Sequence, residues 1–349
     1  MVTLTERPAT TGVGYGQHEE STTTTKTNIE ALRDTMAAAM RKDPSIVITG
    51  EDVGKRGGVF RATEGLFAEF GPDRVIDSPL SELSIVGVGI GMALNGLRPI
   101  CEIQFADFIH PAFNQIVNEA AKLRYRSNGQ YCVPMIIRAP WGGGISGGLY
   151  HSQSIEATFA HVPGLYVLAP STPYDTKGLF LAALRGQDPV LFLEHKKAYR
   201  LIKGEVPDED YIVPIGRADV KRQGEDLTII AYGMMLHESL KAAGILAGEG
   251  ISVEVVDPRT LAPLDKDTIL ASVKKTGKAL IVYEDNLTGG LGGEIAAIIG
   301  QEAFEHLDGP VTRLAAPDVP SVPFSPPLQD FFLPNAAKIA AAARKLAAY

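Results

Sequence analysis

The stretch VIDSPLSELSIVGVGIGMALNGLRPICEIQF, residues 75–105, decides the fold class. Val75–Ile76 and Pro99–Phe105 read as strands, and Ser84–Asn95 between them reads as a helix of small apolar residues. Strand, helix and strand in about thirty residues make a βαβ unit, whose crossover sets the two strands parallel. The same alternation continues on both sides. Upstream, Ile29–Met40 places Ile29, Leu32, Met36 and Met40 on one helical face, followed by the strand Ile46–Thr49, a Gly-rich loop over Gly50–Gly58 and a short helix near Glu64–Phe70. Downstream, Pro111–Arg124 reads as one long helix, and Val133–Arg138, Leu165–Leu168 and Val190–Glu194 as further strands. Apolar strands separated by helices predict an α/β fold with a parallel sheet covered on both faces.

Between Lys196 and Asp226 the pattern dissolves into charged and proline-containing sequence and reads as a linker. A second α/β series follows: strand Leu227–Tyr232, helix Met234–Ala247, strand Ser252–Val256, helix Asp267–Lys275, strand Ala279–Tyr283 and helix Gly292–Ile299. The proline-rich run Pro317–Pro327 then leads into an alanine-rich terminal helix. The reading is a mobile arm over 1–28, a first domain over 29–205 and a second over 206–349, two parallel-sheet domains in a chain of 349 residues.

Bulk properties exclude several classes. The net charge of −8 attracts neither phosphate backbones nor anionic lipid, so no nucleic acid and no membrane are expected as partners. No apolar run approaches the roughly 18 residues that cross a bilayer. The first 28 residues carry Glu6, Glu19 and Glu20 and no apolar core, which argues against a signal or transit peptide. Cys101 and Cys132 form neither a disulfide framework nor a CxxC pair, and a reducing cytoplasm is the expected compartment. A mean hydropathy of +0.05 is high for a lone soluble monomer and suggests surface hidden against a partner.

Several motifs carry no chemistry. The seven histidines show no metal-ligand spacing, and no phosphate-binding GxxxxGK[ST] loop is present. Gly87, Gly89 and Gly91 lie inside a helix, where they favour close packing over a dinucleotide. Gly144-Ile-Ser-Gly-Gly148 matches a nucleophile elbow, yet the preceding strand ends by Arg138 and glycines, not a helix, follow Ser146. The loop has another use: flexible backbone over Trp141–Gly148 delivers His151, with Ser152 as an expected N-cap of the next helix. His151 is then either a ligand-facing residue or a helix-start histidine satisfied locally. Glu82, just before the helix at Ser84, is either an ordinary first-turn acid favoured by the helix dipole or a desolvated acid with a raised pKa.

Four segments together, Val75-Ile-Asp-Ser-Pro-Leu-Ser-Glu82, Cys101-Glu-Ile-Gln-Phe-Ala-Asp-Phe108, Ala139-Pro-Trp-Gly-Gly-Gly144 and Tyr150-His-Ser-Gln153, resemble the β subunits of the E1 component of 2-oxo acid dehydrogenases. Arg124-Tyr-Arg-Ser127 and Glu194-His-Lys-Lys-Ala-Tyr-Arg200 look most like the branched-chain members, with the pyruvate members close. The resemblance implies a thiamine diphosphate pyrimidine-binding domain followed by a transketolase C-terminal-like domain. It also implies an α₂β₂ heterotetramer in which the E1 α subunit holds Mg²⁺ and the diphosphate, and an E2 acyltransferase docked on the C-terminal domain. This chain lacks the Gly-Asp-Gly motif of the α chains, as a half-site would. By the match, Glu82 would be a buried acid hydrogen-bonding N1′ of the aminopyrimidine, so that the ring can remove the thiazolium C2 proton. His151 would move or orient protons during acylation of the lipoyl group, and Leu80, Gln104 and Phe108 would line the pyrimidine pocket. Related branched-chain enzymes often carry Tyr at the position of Phe108, so stacking is retained and a hydroxyl is not. Some members bind a structural K⁺ through backbone carbonyls near the segments matching Cys132–Ile136 and Ala183–Asp188.

Overall fold

A computed structural model describes residues 22–320 and 322–349. The larger sheet has seven strands, in the order β12 (Thr260–Ala262), β6 (Tyr166–Leu168), β7 (Val190–His195), β5 (Ile136–Trp141), β4 (Arg98–Glu102), β2 (Ile46–Gly50) and β3 (Val75–Asp77). All neighbours pair in parallel except β12, an antiparallel edge strand from the second half of the chain. The second sheet runs β14 (Thr312–Ala316), β13 (Ala279–Asn286), β10 (Leu227–Ala231), β11 (Val253–Asp257), β9 (Asp219–Arg222), with β9 antiparallel. The expected α/β class with two parallel-sheet domains is what the chain forms. Every residue of β2, β5 and β7 is buried, as strands covered on both faces require.

The helix Asn28–Lys42 starts on a capping box: the Glu30 N–H donates to Thr27 Oγ1, and the Thr27 N–H donates to Glu30 Oε2 at 2.8 Å. Its predicted face of Ile29, Leu32, Met36 and Met40 is buried against β2 and the helix Pro173–Arg185. The helix Glu82–Leu94 lies close on β4. A Cβ at Gly89 would stand 2.4 Å from Cys101 Sγ, so only glycine allows that approach. Burial pushes the Cys101 thiol up to about 12, which keeps it inert.

Three expectations are corrected. Residues 1–21 of the predicted mobile arm lie outside the described residues, but Thr23–Thr27 is a strand, β1, paired antiparallel with β8 (Lys203–Pro207). Its threonines and Lys26 gave no apolar signal because most of its side chains face solvent. The predicted linker likewise contains a short helix (Ala198–Leu201), β8 and β9, whose charged residues are edge-strand residues. The predicted long helix over Pro111–Arg124 is present as a continuous helical run, but not a uniform α-helix: it passes from a 3₁₀ turn (His110–Ala112) through a π-helical stretch (Gln115–Ala120) into an α-helix (Ala121–Arg126). Ile116, Ala120 and Leu123 are buried in this arrangement, and that spacing fits an α-helix equally well.

Beneath the carboxyl edge of the large sheet lies a fully buried ion cluster. Arg138 of β5 donates from Nε and Nη2 to Glu194 of β7 at 2.6 and 2.7 Å, and from Nη1 to Glu102 of β4 at 2.5 Å. The Tyr199 hydroxyl donates to Glu194 as well. Burial pushes the Glu102 carboxyl up and Arg138 opposes it; burial also works against the Arg138 charge, which Glu194 and Glu102 more than restore. Arg138→Met should therefore leave two carboxylates uncompensated and lower stability by about 3–5 kcal/mol, read as a shifted denaturant midpoint. An unchanged midpoint would remove the cluster from the supports of the fold.

The two domains meet at a second buried group. Tyr232 donates to Glu156 Oε1 at 2.9 Å, and Glu156 is wholly buried. Burial, then the nearby Asp285, pushes the Glu156 carboxyl up to about 8 from an ordinary 4.5. The folded chain thus keeps a proton that the unfolded chain releases once pH exceeds about 4.5, so stability falls as pH rises from there to about 8. Glu156→Gln should flatten that fall, with a larger gain in melting temperature at pH 8 than at pH 5. Equal gains at both pH values would refute it.

Candidate active site

Strand ends generate the site. Glu51 follows β2, Glu82 follows β3, Gln104 to Phe108 follow β4, the glycine loop and His151 follow β5, and Lys196 follows β7. All lie at the carboxyl edge of one parallel sheet, where such sheets bind ligands.

Glu82 is the first residue of its helix, after the N-cap Ser81, whose hydroxyl accepts the Ser84 N–H. The expectation of a buried acid is corrected: Glu82 is only partly buried, and its apolar neighbours Leu80 (72% exposed) and Leu83 (47%) are open to solvent. A helix start at a sheet edge is a surface of this chain, so these side chains enclose nothing by themselves. Glu51 feels the charge of Glu82. Its carboxyl is pushed up by partial burial first, then by the charges of Asp52 and Glu82. Gln104 donates from Nε2 to the Glu51 carbonyl at 3.4 Å, which joins two of the strand ends. Glu51 was passed over in the sequence, where it is one acid in the run Gly50-Glu-Asp-Val. Its only signal is its place directly after a strand.

His151 is held in an aromatic cradle. Its ring meets Phe105 edge-on at 4.5 Å and Phe108 at 5.5 Å, and the two phenylalanines meet each other at 5.7 Å. The backbone that carries His151 is fixed by Asp107, whose Oδ1 accepts the N–H groups of Ser152 and Gln153, each at 3.1 Å. Ser152 is therefore not the N-cap expected: the next helix begins only at Glu156, after Ile155, with no side-chain cap. Asp107 takes the Ser152 N–H because the loop folds back onto the 3₁₀ turn Ala106–Phe108 that follows β4, a contact no local pattern encodes. Lys196 lies below, its Nζ 5.7 Å from the Phe105 ring centroid and donating to the Pro140 carbonyl at 3.3 Å. Burial pushes its ammonium down to about 8, against the pull of Asp107 and Glu284.

Ser146 has a φ of +56°, but β5 ends at Trp141 and no helix begins before Glu156, so the strand–turn–helix frame of a nucleophile elbow is missing. Among the described residues no group of three or more His, Cys, Asp or Glu side chains could hold a metal ion. In the second segment matched to a K⁺ site, the carbonyls of Leu184 and Gly186 already accept from the Arg98 guanidinium at 2.7 and 2.9 Å. Among the described residues no helix is long and apolar enough to cross a membrane.

What these residues offer is half of a heterocycle site. A reachable carboxylate, a carboxamide and aromatic faces suit a flat, nitrogen-bearing ring, while a metal-holding cluster is lacking among the described residues. Comparison with known proteins agrees with this division. Residues 24–202 match the transketolase pyrimidine-binding domain and residues 216–339 the transketolase C-terminal domain. The chain is 55% identical over 321 residues to the 2-oxoisovalerate dehydrogenase subunit beta of Bacillus subtilis, covering 92% of this chain and 98% of that one. It is 49% identical over 320 residues to the pyruvate dehydrogenase E1 component subunit beta of the same organism, with the same coverage. It is also 46% identical to the acetoin:2,6-dichlorophenolindophenol oxidoreductase subunit beta of Cupriavidus necator, covering 90% and 95%. A solved structure described as a split-gene transketolase, an inactive β4 tetramer, superposes with a TM-score of 0.76 at 25% identity over 92% of this chain and 98% of that one. With both domains in that order and the sheet-edge site in place, the chain belongs to the family of E1 β subunits of 2-oxo acid dehydrogenases.

Proposed function

We propose that this chain is the β subunit of a branched-chain 2-oxo acid dehydrogenase E1, active in the cytoplasm as an α₂β₂ heterotetramer with an α subunit. The observation that carries the proposal is the partly buried Glu82 carboxylate at the carboxyl edge of the large sheet, which shares that edge with Glu51, Gln104 and His151 and whose charge Glu51 feels. The higher identity to the 2-oxoisovalerate relative, 55% against 49% for the pyruvate relative, favours branched-chain substrates.

Thiamine diphosphate, when bound between the subunits, supplies a carbanion centre able to attack a 2-oxo carbon and to hold the electrons left by CO₂. This chain would grip the pyrimidine end, and the α subunit the Mg²⁺ and diphosphate end. Glu82 would hold a proton against a ring nitrogen, and closure of the open side by the partner would desolvate it. Leu80 and Phe108 give the ring apolar faces, and Gln104 offers an amide to its edge. His151, steadied by Phe105, Phe108 and Asp107, can pass a proton to or from the acyl-accepting lipoyl group of E2, which would dock through the C-terminal domain.

Glu82→Gln, with the heterotetramer still assembled, should lower decarboxylation about a hundredfold or more, the scale of a lost acid–base group. Near-normal turnover would favour a scaffold subunit that only anchors E2. The reconstituted pair should turn over 2-oxoisovalerate faster than pyruvate; a strong pyruvate preference overturns the branched-chain assignment. The purified chain alone should be inactive and bind thiamine diphosphate poorly, by calorimetry, and full activity without an α subunit would end the half-site reading. Fluorophosphonate should leave Ser146 unlabelled, whereas labelling would bring back a hydrolase.

A further inference from the structure

We infer that Glu284, a residue of the C-terminal domain, is a positioning residue for the His151 loop of the first domain. The inference rests on the reading above for its chemistry, and on contacts across the domain boundary for its geometry. Glu284 lies on β13, near the end of that strand, and is only 4% exposed. Its Oε2 accepts the Gly143 N–H at 2.8 Å, and its Oε1 meets His195 Nε2 at 2.8 Å. Burial works against its charge, but His195 and the Gly143 N–H outweigh burial and hold the carboxyl below its ordinary range. An ionised carboxylate only accepts, so the imidazole proton facing it is on Nε2.

The loop it grips leaves room for nothing else. Gly142 and Gly144 both have φ of +84°. A Cβ at Gly142 would stand 2.3 Å from His195 Nε2, and one at Gly143 would stand 3.1 Å from Leu333 Cδ1. Farther along, a Cβ at Gly148 would stand 2.2 Å from the ring of Phe324. Leu333 and Phe324, like Glu284, come from the second half of the chain. One side of the loop is thus moulded against the C-terminal domain, while Asp107 of the first domain holds the far end at Ser152 and Gln153. His151 lies between these two anchors. Glu284 touches neither the cradle of His151 nor any expected ligand position, so its effect passes through the backbone of the loop.

The test uses the full α–β assembly with two variants that retain a polar side chain. Glu284→Asp is one methylene too short to reach Gly143 and His195 together. Glu284→Gln spans both, accepting from Gly143 and donating to His195 once that ring carries its proton on Nδ1, which has no partner among the described residues. Hydrogen exchange of the peptide covering residues 139–153 should quicken at least tenfold in the Asp variant and stay near wild type in the Gln variant. The rate of lipoyl acylation relative to dye-linked decarboxylation should fall about tenfold in the Asp variant and be largely restored in the Gln variant. A wild-type exchange rate in Glu284→Asp overturns the clamp. Faster exchange with an unmoved ratio overturns its link to His151, as does a Gln variant as impaired as the Asp one. If the wild-type assembly decarboxylates no 2-oxo acid, the functional reading fails, and the exchange result alone decides the clamp.

Discussion

The Arg138 guanidinium, taken wholly out of water between Glu102 and Glu194, is the constraint on which the site stands. Three adjacent strands each contribute one charged residue to it, just before the turn that leads to a functional segment. A buried charge is costly unless fully paired, so β4, β5 and β7 are held in one register and one depth relative to one another. The segments they launch, Gln104 to Phe108, the glycine loop and Lys196, therefore leave the sheet from fixed origins. Tyr199 adds a hydroxyl to the same cluster, and its ring, 5.4 Å from Phe60, ties in the loop after β2.

Above that floor the protein uses softer interactions. His151 is positioned by aromatic edges and two backbone hydrogen bonds to Asp107, whereas Glu82 is held only by its place in a capped helix. The difference suits their proposed tasks. A group that must exchange protons with a substrate arriving from another protein needs a defined orientation. A carboxylate that meets a bound ring needs an open face until a partner closes it. The apolar surface left around Leu80 and Leu83 is consistent with a chain that completes its site by association.

Much of this was legible in residues 75–105 and their surroundings, because strand and helix periodicities are local. Where reading failed, local and tertiary signals conflicted. Thr23–Thr27 is polar because an exposed two-stranded ribbon needs no apolar face, and its partner is found some 180 residues later, as the 182-residue separation of Thr23 from Glu205 illustrates. The helix after Pro111 has the right apolar spacing for an α-helix, and the choice of a π-turn left no mark on it.

The sequence by itself determined the alternation of the main strands and helices, the two-domain parallel-sheet class, the family, and Glu82, Gln104, Phe108 and His151 as candidate site residues. Those depend on neighbours along the chain or on ordered motifs. The tertiary structure alone decided how open Glu82 is, that Glu51 feels its charge, and that His195 and Gly143 share Glu284 from 89 and 141 residues away. Burial and such distant hydrogen bonds arise only when two sheets dock and bring their carboxyl edges together. That docking is a property of whole surfaces, and no window of sequence contains it.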